Sequence, residues 1–101
     1  MPSYELSPLA LEDLLQIQEY IARDNPNAAE QTIAQFFSAF EHLAHWPRSG
    51  HNRTDLTPRN VLFWPIGSYL IVYRPNEKSR EVQIVAVLHA ARDLSAILKE
   101  R

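Results

Sequence analysis

Cysteine is absent from the 101-residue chain. Its absence excludes disulfides and thiolate metal sites and fits a reducing compartment. No apolar run approaches the roughly 20 residues needed to span a bilayer, so no membrane role is expected. The opening Met1-Pro2-Ser3-Tyr4-Glu5 has no basic stretch followed by an apolar core. No secretory signal is read there, and a cytoplasmic protein is expected. Lysine is missing from residues 1–77. There is also no internal repeat, linker or low-complexity segment, so residues 1–101 read as a single domain.

What is present is ordinary for a globular domain, with 46% hydrophobic and 22% charged residues. The net charge of −2 hides an asymmetry. Residues 1–44 carry seven Asp or Glu against Arg23 alone, whereas residues 45–101 carry nine Lys or Arg against five acids. The first half is therefore acidic and the second basic, a distribution that can mark a surface facing an acidic partner.

Tyr4-Glu5-Leu6 alternates like a short strand. Ser7-Pro8 opens a helix, because serine caps well and proline loses nothing at the first helical position. Ala10, Leu14, Ile17 and Ile21 then form an apolar stripe, leaving Glu12, Asp13, Gln16, Glu19 and Arg23 expected in water. Asp24-Asn25-Pro26 ends that helix and caps the next. The second stripe is Ala29, Ile33, Phe36, Phe40 and Leu43, widened by Phe37 and Ala44. So short a connection predicts an antiparallel helical hairpin. Trp46-Pro47 ends it, and both Trp46 and Trp64 are expected to pack. Arg48 to Pro58 is polar, turn-forming and without periodicity, hence a loop.

Three strands are expected next: Asn60–Trp64, Tyr69–Arg74 and Val82–Leu88. Pro65-Ile66-Gly67-Ser68 reads as one turn, with Gly67 able to take a positive φ, and Pro75–Arg80 as another. The second and third strands are apolar on both faces. The hairpin must cover one face, and the last helix or a partner the other. That helix spans Asp93–Lys99 with Leu94, Ile97 and Leu98 inward. The fold class is α+β: an N-terminal strand, an antiparallel helical hairpin, a three-stranded antiparallel meander and a short C-terminal helix. Apolar strands of this kind also predict association of the free protein.

Five pieces in this order carry a resemblance. They are Leu6-Ser7-Pro8-x-Ala10-x-Glu12-Asp13-Leu14, Asp24-x-Pro26-x-Ala28-Ala29, and Leu43-x-x-x-Pro47-x-x-Gly50. The last two are Gly67-x-Tyr69-x-Ile71-x-Tyr73-Arg74 and Val85-x-Val87-x-His89-x-x-Arg92-Asp93. Together they span nearly the whole chain, which resembles toxins of bacterial type II toxin–antitoxin pairs, the RelE/ParE superfamily. The resemblance implies a twisted sheet with the hairpin on one face. It also implies a cognate antitoxin whose C-terminal segment wraps the toxin and orders on binding.

The superfamily includes ribosome-dependent RNases of the RelE kind and gyrase poisons of the ParE kind. Metal-free RNA cleavage needs a base, cations for the phosphorane and an acid. The residues available for it are Arg53, Arg59, His89 and Arg92, beside His51 and Arg74. Neither tyrosine nor histidine follows Leu94, the cations are few, and the chain is slightly acidic where a ribosome-binding nuclease is expected to be basic. The His89-x-x-Arg92-Asp93 ending and the Ser-Pro-x-Ala opening resemble the ParE side.

The expectation is accordingly a toxin that binds DNA gyrase, with no catalytic residue assigned, no metal and no cofactor. The alternatives are a RelE-like endonuclease acting on mRNA at the ribosome, or a non-toxic module for antitoxin binding and autorepression. Target- or partner-binding candidates are Arg53, Arg59, Trp64, Tyr69, Tyr73, His89, Arg92, Asp93, Leu94, Ile97 and Leu98. His89 has three readings: a hydrogen-bonder tying strand end to helix start, a partner contact, or an acid–base group. Asp93 reads equally as a helix cap. Tyr69 and Tyr73, on one strand face, suit packing or an antitoxin segment better than catalysis.

Overall fold

The computed structural model describes residues 2–76 and 78–101. Strand β1 (Ser3–Leu6) leads into helices α1 (Pro8–Ala22) and α2 (Pro26–His45). Strands β2 (Leu62–Ile66), β3 (Tyr69–Pro75) and β4 (Glu81–His89) follow, then α3 (Leu94–Lys99). The strands form one sheet in the order β1-β4-β3-β2. β2, β3 and β4 are an antiparallel meander, and β1 returns parallel to β4 with Ser3 opposite Glu81 and Leu6 opposite Ile84. The parallel pairing follows from the long helical crossover that separates the two strands.

The caps expected from sequence form. Ser7 Oγ accepts the Ala10 N–H at 3.0 Å, and Asn25 Oδ1 accepts that of Ala28 at 3.1 Å. Asp93 caps α3 by accepting from the Ala96 N–H. Both long helices carry proline in their first turn. The stripe residues Ala10, Leu14, Phe36, Phe40 and Leu43 are buried against Leu62, Ile71, Tyr73, Val82, Ile84 and Val87 on one sheet face.

The opposite face has its own core of Val61, Phe63, Leu70, Val72, Val85, Ala86 and Leu88, closed by Leu94 and Leu98 of α3. The chain thus supplies the cover that a partner was an alternative source for. Leu94 and Leu98 are buried and out of a partner's reach while α3 stays docked; Ile97 is half-buried. A register shift near Val72/Tyr73 lets β4 feed both cores. Tyr73 pairs with Ile84 and Val72 with Ala86, so Val85 is the extra residue of a bulge. The bulge reverses the alternation, putting Val82, Ile84 and Val87 on the hairpin face and Val85, Ala86 and Leu88 on the other.

Several boundaries differ from the sequence reading: β2 starts at Leu62 rather than Asn60, β3 runs on through Pro75, β4 gains Glu81 and His89, and α3 begins at Leu94 with Asp93 as its cap. Pro65 and Ile66 lie within β2, opposite Leu70 and Tyr69, leaving a two-residue turn at Gly67-Ser68. Proline is tolerated there because β2 is an edge strand. Gly67 has φ of +56°, which suits the first position of a hairpin turn. The turn expected over Pro75–Arg80 falls partly on Glu77, outside the described residues. Trp46 does not pack; it is 64% exposed beyond the end of α2. No described helix is long and apolar enough to cross a membrane.

The loop after α2 is tied down at Tyr73. The fully buried tyrosine donates its hydroxyl to Pro47 O at 2.9 Å and accepts the Gly50 N–H at 2.8 Å. His51 then pairs with Phe63 through both backbone groups. A Cβ on Gly50 would sit 2.6 Å from the Tyr73 oxygen and 2.9 Å from Phe63 O. Gly50→Ala is therefore expected to cost about 1–3 kcal/mol in chemical denaturation. In a Tyr73→Phe background that increment should shrink, because the nearest obstructing atom is gone.

Candidate functional site

At its start β4 is flanked by β1, but β1 stops at Leu6, opposite Ile84. From Val85 onward α1 takes over that edge. The Ser7 N–H donates to Ile84 O, and the Ser7 hydroxyl donates to Val85 O at 3.0 Å. Asp13 Oδ2 then accepts the Val87 N–H at 3.0 Å. The cap residue of α1 and one side chain of the helix stand in for the missing strand.

Asp13 was expected in water and is 6% exposed. Three residues after Ala10 and four before Ile17, it lies on the core stripe itself, which is the signal that could have found it. Its charge is met by Arg101, whose Nη1 and Nη2 donate to the two carboxylate oxygens at 2.7 and 2.8 Å. Hydrogen bonding to Asp13 raises the Arg101 pKa against the opposing effect of burial. Arg101 was not singled out from sequence.

Beside Asp13 opens a cavity of about 420 Å³, lined among others by Gln16, Tyr20, Tyr69, His89 and Arg92. Tyr69 meets the His89 ring edge-on at 5.2 Å. His89 Nδ1 accepts the Ala91 N–H at 3.0 Å, and its carbonyl accepts the Arg92 N–H. The imidazole therefore ties the strand end to the turn before α3, as its structural reading holds. Burial, and secondly Tyr20, raise the Tyr69 pKa, so its phenol stays protonated at neutral pH.

A separate cleft of about 330 Å³ gathers Arg59, Arg74 and Arg101 against Ser7, Pro8, Leu9 and Val85. Arg59 Nη1 donates to Leu98 O at 3.5 Å, and Arg74 Nε to Gln83 Oε1 at 3.0 Å. Arg53 lies elsewhere, in an exposed bidentate pair with Asp55 at 2.9 and 2.8 Å. That hydrogen bonding lowers the Asp55 pKa.

The sequence candidates thus divide. Tyr69, His89 and Arg92 converge; Arg59 joins Arg74 in the other cleft; Arg53 joins neither. Tyr73 is fully buried, and Trp64 is half-buried against the His42 ring at 5.0 Å. No group of three or more His, Asp or Glu is placed to hold a metal among the described residues.

The fold is that of solved toxin–antitoxin proteins. A chromosomal ParDE system from P. aeruginosa matches with a TM-score of 0.71 at 20% identity, covering 88% of this chain and 96% of that one. The RelBE2 complex of Mycobacterium tuberculosis matches at 0.63 and 18% identity, over 88% and 99%. A curated relative, the putative toxin Y4kP of Sinorhizobium fredii (strain NBRC 101917 / NGR234), is 35% identical over 89 residues, 88% of each chain. The family described as ParE toxin of type II toxin–antitoxin system, parDE, matches residues 4–94. The chain belongs to that family.

Arg101→Gln leaves the buried Asp13 carboxylate without its counter-ion, and Asp13→Asn leaves the half-buried Arg101 without its own. Each is expected to cost about 3–5 kcal/mol by denaturant titration. The double variant should cost clearly less than their sum, because it leaves no lone charge. Elsewhere, hydrogen bonding to Glu5 raises the Glu81 pKa above its usual 4.5. A carboxyl whose folded pKa is raised favours the fold when protonated, so this contribution fades as pH rises from about 4.5 through the raised value. Glu81→Gln should flatten that decline in thermal melts across mildly acidic pH.

Proposed function

We propose that the chain is the toxin of a two-component module, neutralised by a cognate antitoxin, and that it acts in the cytoplasm by binding DNA gyrase rather than by cutting RNA. Membership of the ParE toxin family supports the module. The observation that carries the binding mode is the dispersal of the groups a nuclease would need. His89 and Arg92 line one cavity, Arg59 another, and Arg53 is paired with Asp55. His89 spends its Nδ1 on the Ala91 N–H. A protonated Tyr69 beside it is a poor base.

The surface around Tyr20, Tyr69, His89 and Arg92 suits recognition: aromatic walls, one imidazole and an exposed guanidinium at a shallow cavity. It is the proposed contact with the target or with the antitoxin. Ile97 stands at its own half-buried position on α3.

Purified protein at micromolar concentration should inhibit gyrase supercoiling or trap cleaved DNA. Arg92→Ala should weaken the inhibition about tenfold while leaving the melting temperature unchanged. Absence of any gyrase effect overturns the reading. Primer extension on translated message should show intact RNA after induction. Codon-register cuts lost on His89→Ala or Arg59→Ala would replace this reading with the ribonuclease one. Unaffected growth on expression without antitoxin would favour a non-toxic module.

A further inference from the structure

The exposed Trp46 sits on a turn whose backbone is held on both sides. Its N–H donates to His42 O at 2.8 Å, and its carbonyl accepts the Ser49 N–H at 3.0 Å and the Ser49 hydroxyl at 2.7 Å. One residue on, Pro47 O accepts the buried Tyr73 hydroxyl, which itself accepts the Gly50 N–H. An aromatic ring carried on so fixed a turn loses little backbone freedom when a partner buries it.

A hollow of about 400 Å³ lies against the indole, lined also by Pro47, Arg48 and Ser49. Residues 42–54 contain no Asp or Glu. Exposed His45 and Arg48 flank Trp46 along the chain. One aromatic anchor with cations at its rim fits a protein surface that carries an apolar side chain beside a carboxylate. A second copy of this chain fits poorly, because a twofold axis would set the same cations against each other. Successive nucleobases would need a run of free rings, and the other tryptophan, Trp64, is half-buried against His42. The turn also lies apart from the Tyr69, His89 and Arg92 cavity. It is tied to Tyr73, four residues along β3 from Tyr69, or roughly 13 Å.

We propose that the Trp46–Ser49 turn is a second anchor for the target protein, separate from the cavity at His89 and Arg92. An apolar side chain of the target fills the hollow against the indole, and a neighbouring carboxylate faces His45 and Arg48. This deepens the proposed function and rests on it for the target's identity, DNA gyrase.

The test follows Trp46 by fluorescence in a Trp64→Phe chain, where it is the sole tryptophan. Fluorine NMR of the unsubstituted chain labelled with fluorotryptophan gives the same reading. Titration with purified gyrase, without DNA, should move the Trp46 emission to shorter wavelength and cut its quenching by acrylamide severalfold. Added salt should reverse both. Trp46→Ala should weaken supercoiling inhibition about tenfold or more with the melting temperature unchanged. Combined with Arg92→Ala, the two losses should multiply, as for independent sites. Inhibition with an unchanged Trp46 signal, or full inhibition by Trp46→Ala, overturns the anchor and leaves the gyrase reading standing. A shift that requires DNA overturns it and reassigns the turn to nucleic acid. A shift on concentrating the chain alone overturns it in favour of self-association. Neither inhibition nor a shift overturns both readings together.

Discussion

One carboxylate organises this molecule. Asp13 accepts a backbone N–H from the strand edge that β1 leaves uncovered, and its charge is met by Arg101 from beyond α3. A buried carboxylate alone is costly, so it persists only where hydrogen bonds and a counter-charge both reach it. Here both come from elements distant in sequence. The same atoms therefore set how α1 lies on β4 and where the segment after α3 ends up. Replacing a ladder bond with a side-chain bond also blunts an exposed edge.

The bulge at Val85 is the second constraint. A regular strand would have given every alternate apolar residue of β4 to one face. With one extra residue, the strand contributes to the hairpin core at both ends and still places Val85, Ala86 and Leu88 under α3. That is why β4 reads as apolar throughout, and why a six-residue helix suffices to close the second face.

These two features explain what was legible in the sequence. Caps at Ser7, Asn25 and Asp93, the helical stripes and the meander all depend on local spacing, and they were readable. Asp13 reads as a solvent residue by its type, although its position on the stripe is a core one. Arg101 gave no signal, since its partner lies 88 residues away. Pro65 and Ile66 read as turn because proline usually ends a strand, and the edge position of β2 is what admits it. Trp46 reads as a packing residue by its hydrophobicity, yet it follows the last helical residue and is largely exposed. Among site residues, Tyr69, His89 and Arg92 could be grouped from the strand ends. The joining of Arg59 with Arg74 required the loop's path, which Tyr73 sets through Pro47 and Gly50.

The division of the cations bears on mechanism. A nuclease concentrates base, acid and positive charge around one phosphate, so that each strengthens the others in a site closed to water. In this chain the imidazole and the arginine pair lie in different cavities, separated by the Asp13–Arg101 bridge that lines both. A binding protein needs no such convergence. Two separate polar patches on one sheet are compatible with the binding mode proposed above.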